Sequence, residues 1–140
     1  MERYRILPHT ADGKFQAFGK TLGQAFENAA LAMSSLMWDW TKVEPRARHF
    51  VHVRGADREQ LLVNFLSEIV YLFDTKLFLL GKLDGLRIRP EFEGFSLEAV
   101  LAGETLTDRH ELHGGVKAVT YHELKIEECD GFSVQVVVDM

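Results

Sequence analysis

Apolar residues recur every three to four positions through Leu22, Ala25, Phe26, Ala29, Met33, Leu36, Met37 and Trp40. That spacing lines one face of a helix with apolar groups. Thr21, followed three positions later by Gln24, forms a capping box at its start, so a helix is predicted over about 21–40. A second helix is announced by Asp57 as N-cap with Gln60 three positions on, followed by a stripe of Leu61, Leu62, Phe65, Ile69 and Leu72. It is predicted to end near Asp74. Residues 50–53 read as a short strand between the helices, and residues 14–18 as another before the first.

Beyond Thr75 the period shortens to two. Leu86, Ile88 and Phe92 alternate with Arg87, Arg89 and Glu91, then Phe95, Leu97, Ala99 and Leu101 alternate with Ser96 and Glu98, with a turn at Glu93-Gly94. A further pair of strands, 116–127 and 132–138, is joined by Asp130-Gly131, which supplies the positive dihedrals a tight hairpin needs. Both helices lie in the first half and most strands in the second. The fold class is therefore α+β, with helices packed on a largely antiparallel sheet. No Pro/Gly/Ser linker and no repeat at a fixed period interrupts the pattern, so residues 1–140 are read as one domain.

Composition narrows the class. The chain has 140 residues, 46% apolar and 26% charged, and no run approaches the roughly 18 uncharged apolar residues of a membrane span. The opening Met-Glu-Arg-Tyr-Arg lacks the pattern of a secretion signal, so a cytoplasmic location and no membrane partner are expected. Net charge is −5, and the bases are scattered, with Arg46/Arg48 and Arg87/Arg89 the densest groupings. A freestanding nucleic-acid binder shows a basic stripe, so stable direct contact with nucleic acid is not expected. Cys129 has no second thiol to pair with. Met33, Met37, Trp38 and Trp40 read as core packing, with a partner-docking patch around Trp38 as the alternative.

Known enzyme signatures are missing: there is no Walker loop, no His-Glu-x-x-His helix and no nucleophile elbow. His110 and His113 have a metal-like spacing but lack the further ligands of a zinc site. His9 and His122 stand alone in sequence and read as hydrogen-bonding residues before general bases. The stretch Phe132-Ser-Val-Gln-Val-Val-Val-Asp-Met140 alternates and closes on Asp139 and the main-chain carboxylate of Met140, while Asp12 stands in His9-Thr10-Ala11-Asp12-Gly13 near the other end. If folding joins them, their oxygens suit calcium or magnesium. Taken singly, Asp12 is a turn residue and Asp139 a strand-end solubiliser.

Several segments in order, His9-Thr-Ala-Asp12, Gly19-Lys-Thr-Leu22 through Ala25-Phe-Glu-Asn-Ala-Ala30, Leu61-Leu-Val-Asn-Phe-Leu66, Leu72-Phe-Asp74 and Val116-Lys-Ala-Val-Thr-Tyr-His122, together resemble the archease family over about 9–140. The resemblance implies a fold of two fused strand-helix-strand-strand modules. It implies a divalent-cation site, calcium first with magnesium or manganese admissible, mapped onto Asp12, Asp139 and Met140. It also implies a non-enzymatic activator of the RtcB-type tRNA-splicing RNA ligase, promoting that ligase's guanylylation and multiple turnover, with Lys117 and His9 as candidate contacts to partner or nucleotide. The rival readings are a metal-dependent phosphoester hydrolase and a general chaperone-like interaction module. Two positions depart from the familiar pattern. Gly13 stands where a bulkier apolar residue is expected, which predicts a looser loop around Asp12, and Met140 stands where Ile is familiar.

Overall fold

Gly19 and Gly55 each end a strand and lead into a helix through the same set of contacts. After Gly19, the Thr21 side chain accepts from Gln24 N, the Gln24 side chain accepts from Lys20 N, and Asn28 donates to Phe18 O. After Gly55, Asp57 accepts from Gln60 N, Gln60 accepts from Ala56 N, and Asn64 donates to Arg54 O. Both glycines are needed because a Cβ would meet the helix backbone at 2.4 Å, at Ala25 N in one copy and Leu61 N in the other. The chain does contain a repeat, contrary to the sequence reading. It is a sparse pattern, Gly-x-(Thr/Asp)-x-x-Gln-x-x-x-Asn, whose spacing has meaning only where a strand turns into a helix.

The computed structural model describes residues 2–9 and 12–140. In chain order the elements are β1 (Tyr4–Leu7), β2 (Gly13–Gly19), α1 (Leu22–Ser35), a short 3-10 turn (Trp40–Lys42), β3 (Ala47–Gly55), α2 (Arg58–Lys76), β4 (Phe78–Glu91), β5 (Gly94–Thr105), β6 (Ala118–Val119), β7 (Lys125–Glu128) and β8 (Phe132–Asp139). One sheet runs β1-β2-β8, with β6 and β7 in succession along the far edge of β8; the other runs β3-β5-β4. Every pairing is antiparallel. The fold is α+β. In both sheets the strand preceding the helix pairs with the last strand of its set, and the strand before that last one takes the other side. The chain is thus two strand-helix-strand-strand modules, the second inserted between α1 and β6 of the first.

One core joins the modules. Phe15 and Val136 from the first sheet, Leu97 and Leu101 from the second, and Phe26 and Phe65 from the helices all belong to it. Phe26 and Phe65 stack with ring centres 6.4 Å apart, so the helices touch through their apolar faces. None of the helices among the described residues is long and apolar enough to cross a membrane.

Four local expectations are corrected. The first helix stops at Ser35, with Leu36 as C-cap, because the residues after it answer to tertiary partners. Trp38 is 1% exposed and its indole donates to Leu80 O at 2.9 Å, while the Trp40 indole donates to the Tyr4 hydroxyl at 2.9 Å. These contacts pull the chain off the helical path, and burial of Met33, Met37 and Trp38 confirms the core reading and leaves no docking patch on Trp38. Phe92 is not an inward strand residue: it is 99% exposed in the turn with Glu93, ahead of Gly94 at φ 117°. The expected strand over 116–127 is split into β6 and β7, and residues 120–124 leave the ladder, with Glu123 at φ 54°. The second helix runs to Lys76, where Leu77 adopts a left-handed conformation and its N–H caps Leu72 and Phe73 carbonyls.

Candidate functional site

Strand alternation gives the first sheet two different faces. Phe15, Ala17, Val134, Val136 and Val138 are buried on the inner face. Lys14 pairs with Val137 and Gln16 with Gln135 on the outer face, the two glutamines joined at 3.3 Å. Val137 is nonetheless 1% exposed, because the segment 120–124 folds back over it. Thr120 donates to Val137 O through both its N–H and its hydroxyl, and the Gln135 amide donates to Glu123 O at 2.9 Å.

This fold-back delivers Glu123 to the centre of the outer face. Its Oε1 lies 3.5 Å from Lys14 Nζ. Its Oε2 lies 3.5 Å from His9 Nε2 and 3.7 Å from His122 Nε2. On its other side, His9 Nδ1 is 3.7 Å from Asp12 Oδ2, and this nitrogen is buried with no hydrogen-bond partner among the described residues. The Lys14 charge foremost, with smaller help from His122 and His9, holds the Glu123 carboxyl below its ordinary range against the opposing effect of desolvation.

Asp12 and Asp139 adjoin the same end of the β2–β8 ladder. Gly13, the first residue of β2, pairs with Val138; Asp12 directly precedes that strand and Asp139 is the last residue of β8. Ala118 pairs with Asp139 on the opposite side, and Lys117 N–H donates to Asp139 O at 2.7 Å. Among the described residues neither carboxylate is paired with a Lys or Arg side chain. That leaves their oxygens available to a hard cation, the chemistry a calcium or magnesium site requires. Thr10 and Ala11 of the His-Thr-Ala-Asp motif lie outside the described residues. The Met140 side chain packs toward the core near Gly13 and Gly114, so any ligand from this residue comes from its main-chain oxygens. Lys117 is exposed, and its bond to Asp139 O is made by the backbone N–H and not by the side chain.

His110 and His113 are committed elsewhere. His110 lies 3.1 Å from Glu104, a buried carboxylate that also accepts from Glu44 N and binds Arg109 and Arg46. The Arg109 guanidinium foremost, then the Glu44 N–H and His110, hold the Glu104 carboxyl down to about 2. His113 donates to Ser35 O at 2.8 Å.

Glu123 and Lys14 were invisible as site residues in the sequence. Both stand where alternation predicts an ordinary solvent-facing strand position, and no local signal marks the fold-back that joins them. The adjacent pair His122-Glu123 is the nearest thing to a clue.

Comparison with known proteins matches residues 4–140 to the family described as "Archease protein family (MTH1598/TM1083)". The chain is 42% identical to a protein archease of Methanosarcina acetivorans, covering 99% of this chain and 97% of the relative. It is 35% identical to a protein archease of Methanothermobacter thermautotrophicus over the full length of both. The solution structure of Methanobacterium thermoautotrophicum protein 1598 superposes with a TM-score of 0.88 at 35% identity, covering both chains completely.

Proposed function

The chain belongs to the archease family, and from that premise we propose that it is a non-enzymatic activator of an RtcB-type tRNA-splicing RNA ligase, acting through a calcium site at Asp12, Asp139 and the main-chain oxygens of Met140. What supports the site is the β2–β8 register, which pairs Gly13 with Val138, the chain neighbours of Asp12 and Asp139, with neither acid paired to a Lys or Arg among the described residues. Two like charges on neighbouring positions repel, and a bound divalent ion reverses that cost. Oxygen donors of this kind take calcium first, with magnesium and manganese admissible.

A bound cation supplies charge stabilisation to a triphosphate. The protein's own part is positional. Asp12 is held by the start of β2, Asp139 by the β6–β8 pairing through Lys117 N–H, and Lys117 offers an exposed ammonium to phosphate or to acidic groups of the ligase. His9, beside Asp12, is a further contact for partner or nucleotide. The ligase remains the catalyst that takes up guanylate and joins RNA ends; this chain assists loading and turnover and makes no stable contact with RNA of its own.

The test is multiple-turnover ligation of broken tRNA halves by purified ligase with and without this protein. Wild type stimulates; Asp12→Ala and Asp139→Ala do not. A ligase that turns over equally well without the wild-type protein overturns the assignment.

One observation favours a second reading, a metal-dependent phosphoester hydrolase: the His9 ring lies 3.7 Å from Asp12 and so places a base near the acids. Sustained turnover of a phosphoester by the isolated protein with magnesium or manganese would establish it.

A further inference from the structure

We propose that His9, His122 and Glu123 form a second metal site, one for a borderline transition ion of the zinc class, separate from the all-oxygen site proposed above. Among the described residues these three are the cluster whose ligand atoms all lie within 4.8 Å of one another.

The distances fit an ion better than they fit direct contact. The two His nitrogens lie 3.5 and 3.7 Å from Glu123 Oε2, beyond the roughly 2.7–3.2 Å of a good hydrogen bond. With metal–ligand bonds of about 2.0–2.2 Å, ligand atoms at neighbouring tetrahedral corners stand roughly 3.3–3.6 Å apart. The groups therefore need little movement to close on a shared ion.

The division of labour at the carboxylate points the same way. Lys14 takes Oε1, and both imidazoles face Oε2. The lysine thereby fixes the carboxylate orientation without occupying the oxygen that meets the rings. Behind His9, the buried Nδ1, without a hydrogen-bond partner among the described residues, faces the Asp12 carboxylate at 3.7 Å. A metal-bound histidine commonly donates its second ring N–H to a carboxylate, which sets the tautomer and aims the other nitrogen at the metal. Asp12 is placed for that role, and a small approach completes the bond that Nδ1 lacks. The two rings stand edge to face, 76° apart, so they reach Oε2 from different directions.

Two imidazoles with one carboxylate select zinc, or nickel and copper(II), over calcium and magnesium. Three protein ligands leave a fourth position, and His122 with its side chain 68% exposed keeps that side open to water or a partner's group.

The test is calorimetric titration of zinc into the metal-stripped full chain, with no ligase present, so its outcome is independent of the activator assignment. Wild type is expected to bind one equivalent. His122→Ala and Glu123→Gln each weaken binding by at least about tenfold, while Asp139→Asn stays within about twofold of wild type. The exposure of His122 makes its variant a safe one for folding, checked by circular dichroism. Cobalt(II) should give the visible bands of a tetrahedral nitrogen and oxygen site in wild type, and His122→Ala should lose them. An unchanged zinc isotherm in His122→Ala overturns the proposal, as does a loss in Asp139→Asn equal to that in Glu123→Gln.

Discussion

Gly13 lies against Met140: a Cβ at position 13 would stand 2.9 Å from Met140 Sδ, with Leu36 Cδ1 at 2.7 Å and Val138 Cγ2 at 3.0 Å. Gly13 therefore has a packing role. Gly13 is the first residue of β2, buried and paired with Val138, and its missing side chain makes room for a long one at position 140.

Gly13→Ala should therefore destabilise. Overpacking of a filled site costs about 1–3 kcal/mol, whereas the entropic gain from replacing glycine is only about 0.4–1 kcal/mol. Because the obstructing atoms are ends of flexible side chains, the net loss belongs at the low end, roughly 1 kcal/mol. The double variant with Met140→Ala should be more stable than the sum of the single changes predicts, by about 0.5 kcal/mol or more. Urea denaturation of the four proteins measures this, and strict additivity would show that Met140 is not what Gly13 accommodates.

The repeated strand-to-helix latch predicts unequal costs in its two copies. Asn28 donates to Phe18 O in a part-buried setting, while Asn64 makes the same bond to Arg54 O at the surface, each at 2.6 Å. Water replaces the lost partner only in the second. Asn28→Ala should cost about 1–2 kcal/mol and Asn64→Ala about half of that or less. Thermal unfolding of both variants checks the order, and a larger loss at Asn64 contradicts it.

Glu104 predicts an acid-sensitive step. Its carboxyl is held at about 2, against an ordinary 4.5. A lowered native pKa means that the unfolded chain takes up the proton first, so the stabilisation is complete above about pH 4.5 and disappears as pH falls toward 2. Glu104→Gln should lower stability at pH 7 by about 1.5–3 kcal/mol, because its charged hydrogen bonds are weakened. It should also flatten the stability profile between pH 4.5 and 2. An unaltered acid slope in the variant would assign acid sensitivity to other carboxylates.

Calcium should raise the unfolding temperature of the wild-type chain, since a ligand that binds only the folded form adds about 2.7 kcal/mol at a hundredfold excess over its dissociation constant. Asp139→Asn should abolish most of that rise, and a chelator should reverse it in wild type. Differential scanning calorimetry with and without calcium is the measurement; equal shifts in wild type and variant would remove Asp139 from the site.

Much of the fold could be read directly from the chain. The caps at Thr21 and Asp57, the apolar stripes of both helices, the hairpin partners Leu97 and Ile88 and the turn at Asp130-Gly131 were legible because each depends on neighbours within a few positions. Family resemblance identified Asp12, Asp139, Met140, Lys117 and His9 as candidates from local motifs. What escaped was decided at longer range. The end of the first helix is set by Leu80 and Tyr4, which accept from Trp38 and Trp40. The break in the 116–127 strand is set by Val137 and Gln135, which bind Thr120 and Glu123.

Sequence alone thus determined the α+β class, the two capped helices and the acids at either end, because periodicity and capping are short-range physics. Only the tertiary structure decided that Glu123 meets Lys14, His9 and His122, that Gly13 and Val138, the neighbours of Asp12 and Asp139, pair across β2 and β8, and that Gly13 yields its space to Met140. Those relationships join segments more than a hundred positions apart in the chain, except the adjacent His122 and Glu123. Antiparallel register between β2 and β8, set by matching buried rows, is the physical reason they come together.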